Sequence, residues 1–135
     1  QNGGLGNALN AGLKQCRYEW IARMDSDDIS MPDRFKKQLE CFEREPDLSI
    51  VGGVVTEFVD SEDHIVGKRC CPLTDSEIKR YMKSRCGLNH VTVMFRRSEV
   101  LKAGNYLDWF WNEIIISGSG CGNKVASFAI WKMYW

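Results

Sequence analysis

The feature that most constrains this chain is the short apolar run Trp20-Ile21-Ala22-Arg23-Met24, which ends directly in the acidic cluster Asp25-Ser26-Asp27-Asp28. On either side lies a segment of helical period. Before it, Leu5, Ala8, Leu9, Gly12 and Leu13 fall at the three-and-four spacing of a helix with one buried face. After it, Ser30 and Pro32 are helix start signals, and Phe35, Leu39 and Phe42 form an apolar stripe. The expectation is a strand between two helices, with carboxylates gathered at the strand end.

Downstream, Glu45-Pro46-Asp47 stops the second helix, and residues 50–59 are rich in β-branched side chains. Gly52-Gly53 inside that run predicts a bulge or a close backbone approach. The polar tip Asp60-Ser61-Glu62-Asp63 and the segment 65–69 predict a hairpin with a partly exposed return strand. Thr74-Asp75-Ser76-Glu77 is a capping box, opening a helix with Ile78, Tyr81 and Met82 on one face. A strand over 91–95 and a short helix over 98–103, ended by Gly104, complete the regular pattern. There is no internal repeat.

Eighteen Lys and Arg balance eighteen Asp and Glu in 135 residues, so no net field attracts nucleic acid or anionic lipid. Hydrophobic content of 44% and charged content of 27% are those of a folded chain of about one domain. The six cysteines lack the Cys-x-x-Cys spacing of zinc ribbons and redox helices, and read as reduced cytosolic thiols. Cys70, Cys71, Cys86 and His90 make a poor zinc set, because adjacent residues of a strand point to opposite faces. The chain begins at Gln1 without a leader pattern, and the expectation is that its natural start lies upstream.

Asp25-x-Asp27 is the sharpest chemical signal. In extended backbone, residues two apart share a face, so both carboxylates can converge on one point while Asp28 faces elsewhere. Two hard oxygen ligands suit Mg²⁺ or Mn²⁺, whose other positions go to water and substrate phosphate. The competing account is a solvated helix entry, with Asp28 favouring the next helix dipole.

The strings 1–13 and 20–28, then Pro32-Asp33-Arg34-Phe35-x-x-Gln38, Asn89-His90-Val91-Thr92-Val93-Met94-Phe95-Arg96 and Val100-Leu101-x-Ala103-Gly104-x-Tyr106, resemble the middle of family 2 glycosyltransferases in the family's own order. The resemblance spans residues 1–113. It implies an α/β chain with a partial GT-A fold, a mixed sheet flanked by helices that is similar to nucleotide-diphospho-sugar transferases. It also implies inverting, metal-dependent transfer from a nucleotide-diphospho-sugar to a hydroxyl of a glycan or lipid-linked acceptor. The setting is polysaccharide or lipid-linked glycan synthesis in the cytoplasm or at the inner face of the membrane, with membrane association of the full-length protein compatible.

Carried over by position, Asp25 corresponds to the acid near the nucleoside and Asp27 to the acid that meets Mg²⁺ or Mn²⁺. Asn2 and Asn10 fall near the donor, although capping and turn roles explain them equally. Arg23, Arg34 and Gln38 position the diphosphate or the acidic loop, and Arg34 is equally suited to binding Asp27 or Asp28. His90 touches acceptor or diphosphate, or is a satisfied histidine at a strand start. Trp109, Phe110 and Trp111 form an acceptor platform or plug the core.

The family's Glu-Asp base motif falls at Asn112-Glu113, but Ile114 stands where its Asp belongs, leaving Glu113 as substitute catalytic base. Residues 114–135 hold two lysines and no acid, a composition unlike a solvated surface. Deleting one G from GAA GAT TAT TAT CTC TGG spells Glu-Ile-Ile-Ile-Ser-Gly, the string from Glu113 to Gly118, so a frameshift accounts for this tail. The family's opening βαβ unit has no counterpart in the chain. These features predict a fragment that is inactive alone; the alternatives are a non-catalytic remnant or interaction module and, more remotely, a nucleotidyltransferase with a similar acidic pair.

Overall fold

A computed structural model describes residues 4–81, 84, 86–107, 114–115, 124–127 and 133–134. The architecture is mixed α/β and divides into two compact units: Gln1–Ile21 with Phe95–Gly122, and Ala22–Met94 with Asn123–Trp135. The chain passes from one to the other inside strands β1 (Trp20–Ala22) and β5 (Met94–Arg96).

In the first unit, α1 (Leu5–Gln15) buries Gly6 and Leu13. Gly4, at φ 84, supplies the N-cap in a conformation that side chains disfavour. A second helix, α4 (Arg97–Lys102), buries Val100 and ends at Gly104, whose φ of +100° is again glycine territory. Strand β6 (Tyr106–Leu107) pairs antiparallel with β7 (Ile114–Ile115). Phe95 and Tyr106 meet edge to face at 6.5 Å, and Arg97 Nε donates to the Leu13 carbonyl at 3.1 Å.

In the second unit, α2 (Arg34–Arg44) leads to β2 (Leu48–Gly52), β3 (Val55–Phe58) and β4 (Ile65–Arg69). The anticipated single strand over 50–59 is therefore two strands, and Gly53-Val54 marks a break rather than a bulge. β2 pairs in parallel with β8 (Lys124–Ser127), whereas β3 pairs antiparallel with β4 and in parallel with β9 (Met133–Tyr134). The close approach expected at the glycines is present: a Cβ on Gly52 would lie 2.8 Å from the Leu88 side chain. The ends of β1 and β5 in this unit, β2 and β8 form one sheet in the order β1-β5-β2-β8.

The capping box forms, with Thr74 N–H donating to Glu77 Oε2 and Glu77 N–H to Thr74 Oγ1. Its helix α3 (Asp75–Tyr81) buries Ile78 but leaves Tyr81 exposed, and Met82 lies outside the described residues. The strand predicted over 91–95 begins instead with a 3-10 turn, His90–Thr92.

The second helix departs most from its sequence pattern. Arg34, Gln38 and Phe42 are its buried face, while Phe35 is 51% exposed. The apolar stripe was a poor guide because two polar side chains at i and i+4 are sealed in and satisfied by hydrogen bonds.

Two glycines of the first unit have opposite predicted responses to alanine. Gly12→Ala, in open space inside α1, is expected to stabilise by about 0.5–1 kcal/mol, and Gly104→Ala to destabilise by about 1–2 kcal/mol. Urea denaturation of the two variants measures both signs.

Candidate functional site

The second unit gathers most of the sequence-nominated residues around one turn. After β1 ends at Ala22, the Arg23 amide donates to the Val93 carbonyl at 2.9 Å, and the backbone then turns, with Asp28 N–H reaching the Asp25 carbonyl at 3.4 Å. Asp25 and Asp27 therefore do not share a face by strand alternation. The acidic cluster lies past the strand end, where a turn sets the direction of each carboxylate.

The three acids have different surroundings. Asp25 pairs with Arg23 at 3.1 Å, its side chain 39% exposed. Asp27 is exposed, and no described residue pairs with it. Asp28 has both carboxylate oxygens buried. Its charge acts on Arg34, whose guanidinium burial pulls below its ordinary pKa and Asp28 pulls back up.

Beneath the turn runs a polar network. Arg34 Nη2 donates to the carbonyls of Arg23 at 2.7 Å and Val93 at 3.3 Å, and Nε to Gln38 Oε1 at 3.1 Å. Gln38, fully buried, donates onward to the Thr92 and Val51 carbonyls at 2.8 and 3.3 Å. Thr92 Oγ1 accepts from Gly53 N–H at 2.7 Å, and Asn89 Nδ2 donates to the carbonyls of Gly53 and Arg69. Gln38, Thr92 and Asn89 thus connect the acidic turn to the segment 89–93. Counting apolar positions misses this role, and the signal was the polar pair at i and i+4 on one helix face.

His90 opens the 3-10 turn that leads to Val93. Burial, and then the positive charge of Arg23, lower its pKa from 6.5 to about 4, so the imidazole is neutral at physiological pH. A neutral ring both donates and accepts, which suits contact with a sugar hydroxyl better than with a diphosphate.

Asn10 lies in the first unit and is a cross-brace there. Its amide donates to the Tyr106 carbonyl at 2.8 Å and accepts from the Tyr106 N–H at 2.9 Å, joining α1 to β6. Asn2, Glu113 and the aromatic cluster 109–111 lie outside the described residues. Cys16, Cys41, Cys70, Cys71 and Cys86 are free thiols.

Among the described residues no three His, Cys, Asp or Glu side chains cluster as a metal group, and the acidic turn offers hard carboxylate oxygens from Asp27, which is exposed, and Asp25, which is paired with Arg23. Such a donor set is of the chemical type that Mg²⁺ takes, one or two carboxylates with the remaining positions left to water and substrate phosphate. Among the described residues no helix is long and apolar enough to cross a membrane.

Comparison with known proteins identifies the family. The family model for glycosyl transferase family 2 matches residues 1–128, and the chain belongs to that family. Its mixed α/β architecture is consistent with the family's nucleotide-sugar transferase fold. The chain is 42% identical over 123 residues to an uncharacterized glycosyltransferase of Haemophilus influenzae, covering 87% of this chain and 46% of that protein. It is 40% identical to the amylovoran biosynthesis glycosyltransferase AmsE of Erwinia amylovora, over 78% of this chain and 39% of that one. It is 37% identical to the UDP-Gal:alpha-D-GlcNAc-diphosphoundecaprenol beta-1,3-galactosyltransferase of Escherichia coli, over 78% and 38%. The chain thus spans less than half the length of these relatives.

The half-buried, neutral histidine gives a pH prediction. Below pH 6.5 the unfolded chain protonates this ring and the native one does not, so stability falls as pH drops toward 4 and levels off below. The loss attributable to His90 is on the order of 3 kcal/mol across that window, and His90→Gln is expected to remove that part of the slope in denaturation curves.

Proposed function

We propose that this chain carries the diphosphate end of the donor site of an inverting, metal-dependent glycosyltransferase. The observation that carries the proposal is the acidic turn, where two carboxylates face outward over a buried arginine network. In this account Asp27 holds Mg²⁺ or Mn²⁺, Asp25 lies toward the nucleoside with Arg23 beside it, and Asn2 is assigned to the donor, whereas the Asn10 amide is committed to the Tyr106 backbone and braces its own unit. The cation, when bound, neutralises charge developing on the leaving diphosphate.

The acceptor hydroxyl attacks the anomeric carbon, the bond from that carbon to the diphosphate oxygen breaks, and a carboxylate takes the hydroxyl proton. A single displacement inverts the centre. Glu113 is the base in this proposal, and His90 contacts the acceptor. The substrate class is a nucleotide-diphospho-sugar with a glycan or lipid-linked acceptor. Support for that class comes from relatives named for amylovoran synthesis and for a diphosphoundecaprenol acceptor. The action belongs in the cytoplasm or at the inner membrane face, with residues 1–113 as donor and acceptor part and 114–135 as an atypical, frameshifted tail.

A second proposal is a non-catalytic remnant of such an enzyme, favoured by Ile114 in the position of the family's base. Sugar transfer by the purified chain rejects it.

Mn²⁺ with a nucleoside diphosphate is expected to raise the melting temperature of the full chain, by about 2.7 kcal/mol of added stability at one hundred times Kd. Asp27→Ala is expected to melt normally without ligand and to lose that protection. Equal protection in the variant contradicts the assignment of Asp27.

A further inference from the structure

We infer that Arg34 is a positioning residue for the acidic turn: it fixes the direction of Asp25 and Asp27 by gripping the backbone before them and using Asp28 as its countercharge. The inference rests on the reading of this turn as the metal and diphosphate end of the donor site. It divides the three acids by task, two facing a ligand and one held underneath.

Arg34 is only 3% exposed, so it does not itself meet a ligand in solution. Its action passes through what it holds. The Arg23 carbonyl lies two residues before Asp25, and the Val93 carbonyl, bonded to the Arg23 amide, receives the same Nη2. The strand end is thereby fixed from both its N–H and its C=O. On the far side of the turn, Asp28 presents two buried oxygens and its charge opposes the desolvation of the guanidinium. A buried cation is costly unless it is hydrogen-bonded, and the three acceptors held by Arg34 offset that cost, with the charge of Asp28 adding to them. The solvent side is thereby left to Asp27 and, beside Arg23, to Asp25.

Arginine is specific to this task. A planar fork reaches two carbonyls and the Gln38 amide oxygen in fixed directions, whereas a lysine ammonium is a point charge without that geometry. Gln38, holding the Thr92 and Val51 carbonyls, fixes the fork in turn. Arg34→Lys keeps the charge and loses the grip; Asp28→Asn keeps the shape and loses the countercharge.

The experiment measures thermal protection of the full chain by Mn²⁺ with UDP, ADP, GDP, CDP and dTDP in turn, for wild type, Arg34→Lys, Asp28→Asn and Ile78→Val. Ile78 is fully buried in α3, and its variant serves as a purely structural loss. Expected is a roughly tenfold or greater weakening of apparent Mn²⁺–nucleotide affinity in Arg34→Lys and Asp28→Asn, with Ile78→Val binding as wild type does. The Arg34→Lys, Asp28→Asn double variant is expected to be no worse than the poorer single one, since both act on one turn. Wild-type affinity in Arg34→Lys, or in Asp28→Asn should the lysine variant not fold, overturns the inference while leaving the donor-site reading intact. Absence of protection in the wild type overturns both.

Discussion

The arrangement depends on one buried charge. Arg34 is removed from water at the first turn of α2, and everything that makes this tolerable also defines the site: two backbone carbonyls, the Gln38 amide and the carboxylate of Asp28. Stranding such a group costs several kcal/mol, of the order of the whole stability of a small domain.

The network also explains how a segment distant in sequence comes to the turn. Gln38 holds the Thr92 carbonyl, Thr92 holds Gly53, and Asn89 bridges Gly53 to Arg69 at the end of β4. Residues 89–93 are thus fixed by hydrogen bonds on several sides, and His90 is kept neutral beside Arg23. The close contact of Gly52 with Leu88 adds a steric limit, because a larger residue displaces the strand carrying Val51 or the loop before Asn89. In the proposed reaction this rigidity keeps donor-side carboxylates and an acceptor-side imidazole ready without reorganisation.

Much of this was legible in the sequence. The helices at Leu5–Gln15 and Asp75–Tyr81 follow from amphipathic spacing and the Thr74–Glu77 box, and the β3–β4 hairpin from β-branched runs around a polar tip. Family membership followed from motif order. The rest was hidden for identifiable reasons. Phe35 was placed on the apolar stripe yet is exposed, because hydrophobicity patterns cannot anticipate a polar face, that of Arg34 and Gln38, satisfied by backbone carbonyls of other segments. The strand over 50–59 broke at Gly53-Val54 because the two halves join different sheets. Asp25 and Asp27 were placed on one strand face, yet the strand stops at Ala22, so local turn geometry decides where they point.

The central claim is that the turn carrying Asp25 and Asp27 receives the metal and the diphosphate. Its most direct test is a crystal structure of the chain grown with Mn²⁺ and a nucleoside diphosphate, with anomalous scattering recorded at the manganese edge. The account predicts an anomalous peak about 2.1 Å from an Asp27 carboxylate oxygen, with the diphosphate beside it and the Asp28 carboxylate still buried. A manganese peak bound elsewhere, or a nucleotide seated with Asp27 turned away from it, would contradict the account.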